Sequence, residues 1–284
     1  MARPLRIEFA GAFYHVMARG NDKKDIFLTK NDYLRFLDIL ANVCQRHFWR
    51  VHAYCLMHAY CLMGNHYHLL LQTPLPNLSK GMQQLNGTFT QYINRRYQRC
   101  GHVFQGRFVS RLVDTELYYK TLLRYVLQNP VAAALVNDAK DYTWSSYHAT
   151  SLKVSTPDWL VVPEVLSHFH QDTNKAVQAF SGCMTEFDST DIWQNLTNQI
   201  FLGDADFAAR QLAKVPVNTS INDIPLAQLK PIPLSLEQYQ QLYPDLDDAI
   251  TKAFASGCYS MTELASYFGL HVSTVRRKIA KSKA

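Results

Sequence analysis

The chain has 284 residues, 48% of them hydrophobic, and carries 29 Lys/Arg against 23 Asp/Glu, a net charge of +6. That apolar content is enough for a packed core and excludes a wholly disordered chain. No uninterrupted apolar run approaches the ~20 residues that span a bilayer. The opening residues, Met1-Ala-Arg-Pro-Leu-Arg-Ile-Glu8, lack the apolar stretch of a secretion signal, so a cytoplasmic protein with no membrane partner is expected. Its six cysteines (Cys44, Cys55, Cys61, Cys100, Cys183, Cys258) form no CxxC pair and read as reduced thiols.

The charge is unevenly spread. Residues 1–150 hold 18 Lys/Arg against 9 Asp/Glu, residues 151–240 hold 5 against 10, and residues 241–284 hold 6 against 4. Two basic ends flank an acidic middle, and these three stretches are the expected domains. A basic segment rich in Tyr and Arg suits a polyanion, because each neutralised phosphate releases counterions.

In chain order, Ala12 to Ala18 reads as a strand, and Arg19-Gly20-Asn21-Asp22 as a turn. Leu34, Leu37, Ile39, Leu40 and Val43 recur at helical spacing between Asn31 and His47, with Asn31 or Asp32 as cap. A strand follows from Trp49, and His66 to Gln72 reads as the next, the Gly64-Asn65 pair between them. Ser79 to Arg99 is a second amphipathic helix whose last turn carries Arg95, Arg96 and Arg99. Arg107 to Val113 is strand-like, and Thr115 opens a third helix that Asn129-Pro130 stops or bends. The order β-α-β-β-α-β-α predicts an α+β fold, a ferredoxin-like antiparallel sheet with helices on one face.

The acidic middle reads as a helical connector (Lys175–Phe180, Trp193–Leu202, Ala205–Leu212) with a Pro-containing linker from Val215 to Pro233. In the last stretch, Asp247 can cap a helix running to Ser256, with Gly257 behind it. Ser260-Met-Thr-Glu263 is a capping box, Gly269 makes a turn, and Ser273 caps a final helix from Thr274 to Lys281. Val275 and Ile279 face inward and Arg276, Arg277 and Lys278 outward, a helix-turn-helix pattern. Ser273 and Thr274 then lie at the recognition helix's start, and the three cations are phosphate anchors.

His52-Ala-Tyr-Cys-Leu-Met57 is followed at once by an identical copy, His58 to Met63. An insertion of six keeps every later strand residue on its own face, because side chains alternate with period two. The copy next to Gly64-Asn65 is expected to pair with the following strand, leaving the first as a bulge, loop or extension.

His66-Tyr67-His68 places two imidazoles on one face of a strand, close enough to share a divalent metal. Tyr125 and Asn129 share one face of the third helix at i, i+4. Asn supplies a hard oxygen and Tyr a nucleophile beside it. Two imidazoles and one amide oxygen leave open positions on Mg²⁺ or Mn²⁺ for phosphate oxygens. A tyrosine hydroxyl, with an ordinary pKa of about 10, needs such help to attack a phosphodiester. Tyr118 and Tyr119 are alternative nucleophiles, but neither has Asn four residues on.

These residues, with Tyr14-His-Val16, Arg19-Gly-Asn21, Leu62-Met-Gly-Asn-His-Tyr-His-Leu69, Gly101-His-Val-Phe-Gln-Gly-Arg-Phe108, Tyr125-Val-Leu-Gln-Asn-Pro-Val131 and Trp144-Ser-Ser-Tyr147, resemble the single-tyrosine HUH transposases. The nearest likeness is to the REP-associated tyrosine branch, over about residues 5–150. The resemblance implies His66, His68 and Asn129 as metal ligands and Tyr125 as the nucleophile. It implies single-stranded DNA, often beside a hairpin, as substrate, a 5′-phosphotyrosine intermediate, and a monomer or homodimer. Arg95, Arg96, Arg99, Gln105 and Arg107, interleaved with Tyr97 and Phe104, suit unpaired bases and phosphates. Arg19 and Asn21 suit a hairpin or its flanking bases. The competing reading is a catalytically inactive relative that only binds DNA.

Overall fold

The computed structural model describes residues 6–57, 65–185, 192–214, 235–256 and 259–281. Its residues gather into two compact units, 6–195 and 196–284. The first runs β1 (Ala12–Arg19), α1 (Lys30–His47), β2 (Arg50–Leu56), β3 (His66–Thr73), α2 (Leu78–Arg96), β4 (Val109–Val113) and α3 (Thr115–Ala132). The strands lie in the order β2-β3-β1-β4, each neighbour antiparallel. The expected α+β, ferredoxin-like plan is therefore the observed one.

The sheet's two faces are covered differently. Tyr67 points to the face where α1 and α2 pack: its ring meets Phe36 of α1 at 4.7 Å, and its hydroxyl donates to Asn86 of α2 at 2.5 Å. Its neighbours His66 and His68 must point the other way. That face is covered by α3, whose Tyr119 donates to or accepts from His52 Nδ1 at 2.9 Å. The expectation of helices on one face thus holds for α1 and α2 and fails for α3. β4 ends at Val113, and the Asp114 cap redirects the chain across the opposite side.

α1 is capped by Thr29, not by Asn31 or Asp32. Asp32 is the N3 residue of a capping box and accepts from the Thr29 and Leu28 N–H groups at 2.8 and 2.9 Å. The same carboxylate accepts from the Tyr92 and Tyr97 hydroxyls of the α2 end at 2.9 and 2.7 Å, so one buried acid locks the start of α1 to the end of α2. α2 stops at Arg96 because Gln98 turns left-handed at φ 49°, which puts Arg99 beyond the helix. α3 does not stop at Asn129-Pro130. It continues to Ala132, since a proline one turn from the end removes a single N–H bond and the Asn129 and Pro130 carbonyls are still met by Ala133 and Leu135.

The tandem repeat pairs opposite to expectation. The first copy, His52 to Met57, forms the ladder: Cys55 opposes His68, Leu56 opposes Tyr67, and Met57 N–H donates to His66 at 2.8 Å. β2 enters the repeat already in register at Arg50–Gln72, and a bulge between Val51 and Ala53 carries it on. Ala53, Cys55, Leu56 and Met57 are then fully buried. A strand already in its ladder pairs with the copy it reaches first. The second copy, residues 58–63, and Gly64 lie outside the described residues.

The turn joining β1 to α1 depends on a glycine. A Cβ at Gly20 would sit 2.1 Å from the Lys24 carbonyl oxygen and 2.8 Å from Asn65 Nδ2. Gly20→Ala is therefore expected to destabilise the protein by about 1–3 kcal/mol, because the obstacle is backbone and cannot rotate away. Urea titration of the two proteins measures it, and an unchanged midpoint would refute it.

Helices α4 (Tyr147–Thr150), α5 (Val162–Ser167) and α6 (Thr173–Thr185) follow in the first unit, with a 3₁₀ turn at Ile192–Asn195. α6 docks on α3, where Gln128 Nε2 donates to the Met184 carbonyl at 2.8 Å. The helix expected over Trp193–Leu202 is instead that turn followed by a two-strand hairpin, β5 (Leu196–Thr197) and β6 (Phe201–Leu202). Asn198 and Gln199 adopt positive φ, which breaks any helix there.

In the second unit the hairpin is followed by α7 (Ala205–Leu212), as expected. The linker from Val215 to Pro233 lies outside the described residues, as does Gly257. Then come α8 (Leu236–Leu242), α9 (Leu246–Ala255), α10 (Met261–Tyr267) and α11 (Val272–Lys281). Asp245 rather than Asp247 caps α9, accepting from the N–H groups of residues 247 and 248. The Ser260–Glu263 capping box is present, and Gly269 makes its turn at φ 64°. α11 begins at Val272, so Ser273 sits in its first turn rather than before it. Tyr239, Ile250, Leu264, Val275 and Ile279 form this unit's core. Among the described residues, no helix is long and apolar enough to cross a membrane.

Candidate active site

The site is built where α3 crosses the histidine face of the sheet. The β3 pleat sets His66 and His68 side by side, their ring centres 4.6 Å apart. β1 adds His15, whose Nε2 lies 2.8 Å from His68 Nδ1 with the rings stacked. α3 brings Tyr125 over both rings, 5.7 Å from His68 and 5.9 Å from His15, each edge to face. Asn129 follows one turn later, its Nδ2 donating to the Tyr125 carbonyl at 3.2 Å and its carboxamide beside His68.

His15 and His68 are each 1% exposed. Burial, reinforced by the positive Arg111, lowers His15 to about 3. Burial, then the neighbouring His15 and His66 and Arg111, hold His68 well below the usual imidazole range. His68 is therefore neutral at pH 7 and keeps a lone pair. One proton serves the His15–His68 contact; with it on His68 Nδ1, that lone pair is on Nε2. This Nε2 is buried without a well-formed hydrogen bond, although the Asn129 carboxamide lies beside it. An orphaned buried acceptor next to a second imidazole and an amide oxygen fits a divalent ion.

Arg111, opposite His15 on β4, is a half-buried cation whose guanidinium lies 4.1 Å above the Trp193 ring. Burial lowers its pKa, and the charge of an ionised Tyr125 acts in the other direction, which marks the two groups as neighbours. Trp193 also stacks on His15 at 5.2 Å and meets Tyr125 edge-on at 5.0 Å. Sequence reading did not single out Arg111 or Trp193. Strand alternation places Arg111 beside Val109 on one face and could have flagged the arginine; nothing local could have flagged a tryptophan some 70 residues from Tyr125. The alternative nucleophile Tyr119 is 2% exposed and spent on His52, whose own ring is brought down to about 3 by burial, Arg50 and His168.

The other expected residues fall into groups. Arg19 is the register partner of His66, and its carbonyl accepts from Gln105 N–H at 2.7 Å, while Asn21 N–H donates to Val103 at 2.9 Å. Arg19, Asn21 and Gln105 are thus gathered at the His66 end of the sheet. Arg95 and Arg96 end α2, with Arg96 3.5 Å from Asp32. Arg99 lies just past that end, and Arg107 is exposed near Arg6. In the second unit, Arg276 and Arg277 are exposed and Ser273 meets His271 Nδ1 at 2.8 Å. Thr274 is half-buried, and Lys278 is held by Asp247 rather than lying free on the outer face.

Residues 9–129 match the family described as Transposase IS200 like. The chain is 28% identical over 162 residues to a REP-associated tyrosine transposase of Haemophilus influenzae, covering 52% of this chain and 88% of that one. It is also similar, at 16% identity and a TM-score of 0.46, to a solved REP-associated tyrosine transposase bound to a REP hairpin, over 55% of this chain and 89% of the other. The histidine strand, Tyr125 and Asn129 all lie within the segment that matches the IS200-like transposase family.

Proposed function

We propose that this protein nicks and rejoins single-stranded DNA beside hairpins, with Tyr125 as the nucleophile. The observation that carries the reading is the meeting of Tyr125 with His68 and Asn129 on one face of the sheet. In the cleaving step, the Tyr125 oxygen forms a bond to phosphorus and the bond from phosphorus to the 3′ oxygen breaks. The phenol gives up its proton, the departing 3′ oxygen gains one, and the 5′ phosphate stays on the enzyme. Reversal by another strand's 3′ hydroxyl rejoins DNA without a nucleotide. A Mg²⁺ or Mn²⁺ ion held by His66, His68 and Asn129 would, when bound, withdraw charge from the phosphate. Arg111 stabilises the phenolate as it forms, and in a half-buried site that attraction is stronger than in water. His15 holds the His68 ring in place.

The test is incubation with a labelled hairpin oligonucleotide bearing a single-stranded flank, with Mn²⁺. A denaturation-resistant protein–DNA adduct and a fragment ending in a 3′ hydroxyl are expected; cleavage without an adduct would refute the tyrosine route. DNA binding with neither product would select the second reading, a non-catalytic DNA-binding protein. That reading is favoured by one contact, the Trp193 ring edge-on to Tyr125.

A further inference from the structure

The middle of α2 carries a neutral stripe between Lys80 and the arginines at its end. Between it and the 101–106 loop lies an open groove of about 600 Å³, lined on the helix by Gln83, Asn86, Gly87, Thr90 and Gln91. These positions are three, four, seven and eight apart, so they form one stripe. No Lys, Arg, Asp or Glu lines the groove, although residues 1–150 carry a net charge of +9. A surface meant for phosphates would carry cations there. One made of amides and a hydroxyl offers paired donors and acceptors, the groups that read base edges.

Two further features point to a ligand. The Asn86 amide is oriented from behind: Tyr67, the residue between the two site histidines, donates its hydroxyl to Asn86 Oδ1 and so turns Nδ2 outward as a donor. Gly87 is an exposed glycine inside a helix, a choice that costs about 1 kcal/mol relative to alanine. A Cβ there would meet nothing within 4 Å, so packing does not require the glycine. What it preserves is open space in the groove. Phe104 supplies the apolar floor, 6% exposed and backed by Tyr67 and Phe89.

The groove lies at the same end of β3 as the histidines, on the opposite face. Its loop wall is joined to the intervening turn by the Gly20–Phe104 bridge and by the Gln105 N–H bond to Arg19. A strand leaving Tyr125 would have to pass the Arg19–Asn21 turn to reach it.

We propose that this groove takes unpaired nucleobases of the DNA strand, and that Asn86 and Gln91 choose among them while the flanking arginines hold the phosphates. This rests on the DNA-processing reading above and adds its base-reading subsite. The test uses the full chain carrying Tyr125→Phe, so that binding is measured without chemistry. Fluorescence anisotropy compares a hairpin with an intact single-stranded flank and the same hairpin with an abasic flank. The intact flank should bind about tenfold more tightly, the scale of losing one base contact. Gly87→Tyr should remove that advantage while leaving abasic binding unchanged, and Asn86→Ala should reduce it. Circular dichroism should show Gly87→Tyr no less stable, since the side chain enters open space. Equal binding of the two flanks by the parent, an undiminished advantage in both variants, or an equal loss on both DNAs would each overturn the proposal. Absence of an adduct in the unmutated protein would instead refute the phosphotyrosine route and leave this result standing.

Discussion

Tyr125→Phe is expected to reduce covalent adduct formation at least about a thousandfold, the scale of removing a nucleophile, while DNA affinity changes less than about threefold. The change deletes one oxygen from a half-buried ring. It keeps the edge-to-face contacts with His15, His68 and Trp193, so the fold around the site should persist. Tyr119 cannot substitute, since it is buried against His52 and its hydroxyl is engaged. His66→Ala should give the same loss of cleavage with DNA binding largely kept, because the affinity comes from the basic surface. Gel analysis of denatured reactions reads the adduct, and anisotropy reads the binding. An adduct persisting in Tyr125→Phe would show that another residue attacks.

Asp32→Ala is expected to cost about 3–5 kcal/mol of stability, the range for breaking a buried, hydrogen-bonded charge network. The side chain is 0% exposed and accepts from two backbone N–H groups and two tyrosine hydroxyls. Alanine leaves those donors without a partner where water is scarce. The same carboxylate gives a pH signature. Burial pushes its pKa up, but the bonds from Tyr97, Thr29, Tyr92 and Leu28 outweigh burial and hold it below the ordinary value. In the unfolded chain the group titrates near about 3.9. The folded form is therefore the better acid, and its stabilisation is fully present above that value and lost as pH falls through the lower folded one. Urea midpoints should show the gap between wild type and Asp32→Asn constant from pH 7 to about 5 and narrowing below about 4. A gap that widened on acidification would contradict the assignment.

Much of the first unit was legible because alternation and helical period leave a local trace. His66, His68, Tyr125 and Asn129 were found by spacing, and the structure brings all four together. What was not legible depends on contacts between distant segments. No property of residues 115–132 says which face of the sheet α3 covers, and that face decides whether Tyr125 meets the histidines at all. Trp193 lies in a stretch with helical spacing, yet two residues just after it take positive φ and the helix gives way to a hairpin. Asp32 reads equally well as a cap or as a capping-box partner until the tyrosines of α2 are placed against it. The two copies of the hexapeptide are identical, so no residue inside them could say which one the ladder uses.

That hexapeptide turns the junction of β2 and β3 into an insertion made by nature. Met57 and His66 already face each other across the ladder. Excising one six-residue copy would leave them joined by Gly64-Asn65 alone, the length of a tight two-residue hairpin. The shortened chain keeps every core side chain of β2 and should fold to the same sheet. Lengthening such a connection costs little, about 0.6 kcal/mol per doubling, so a duplication at this junction is compatible with an intact sheet.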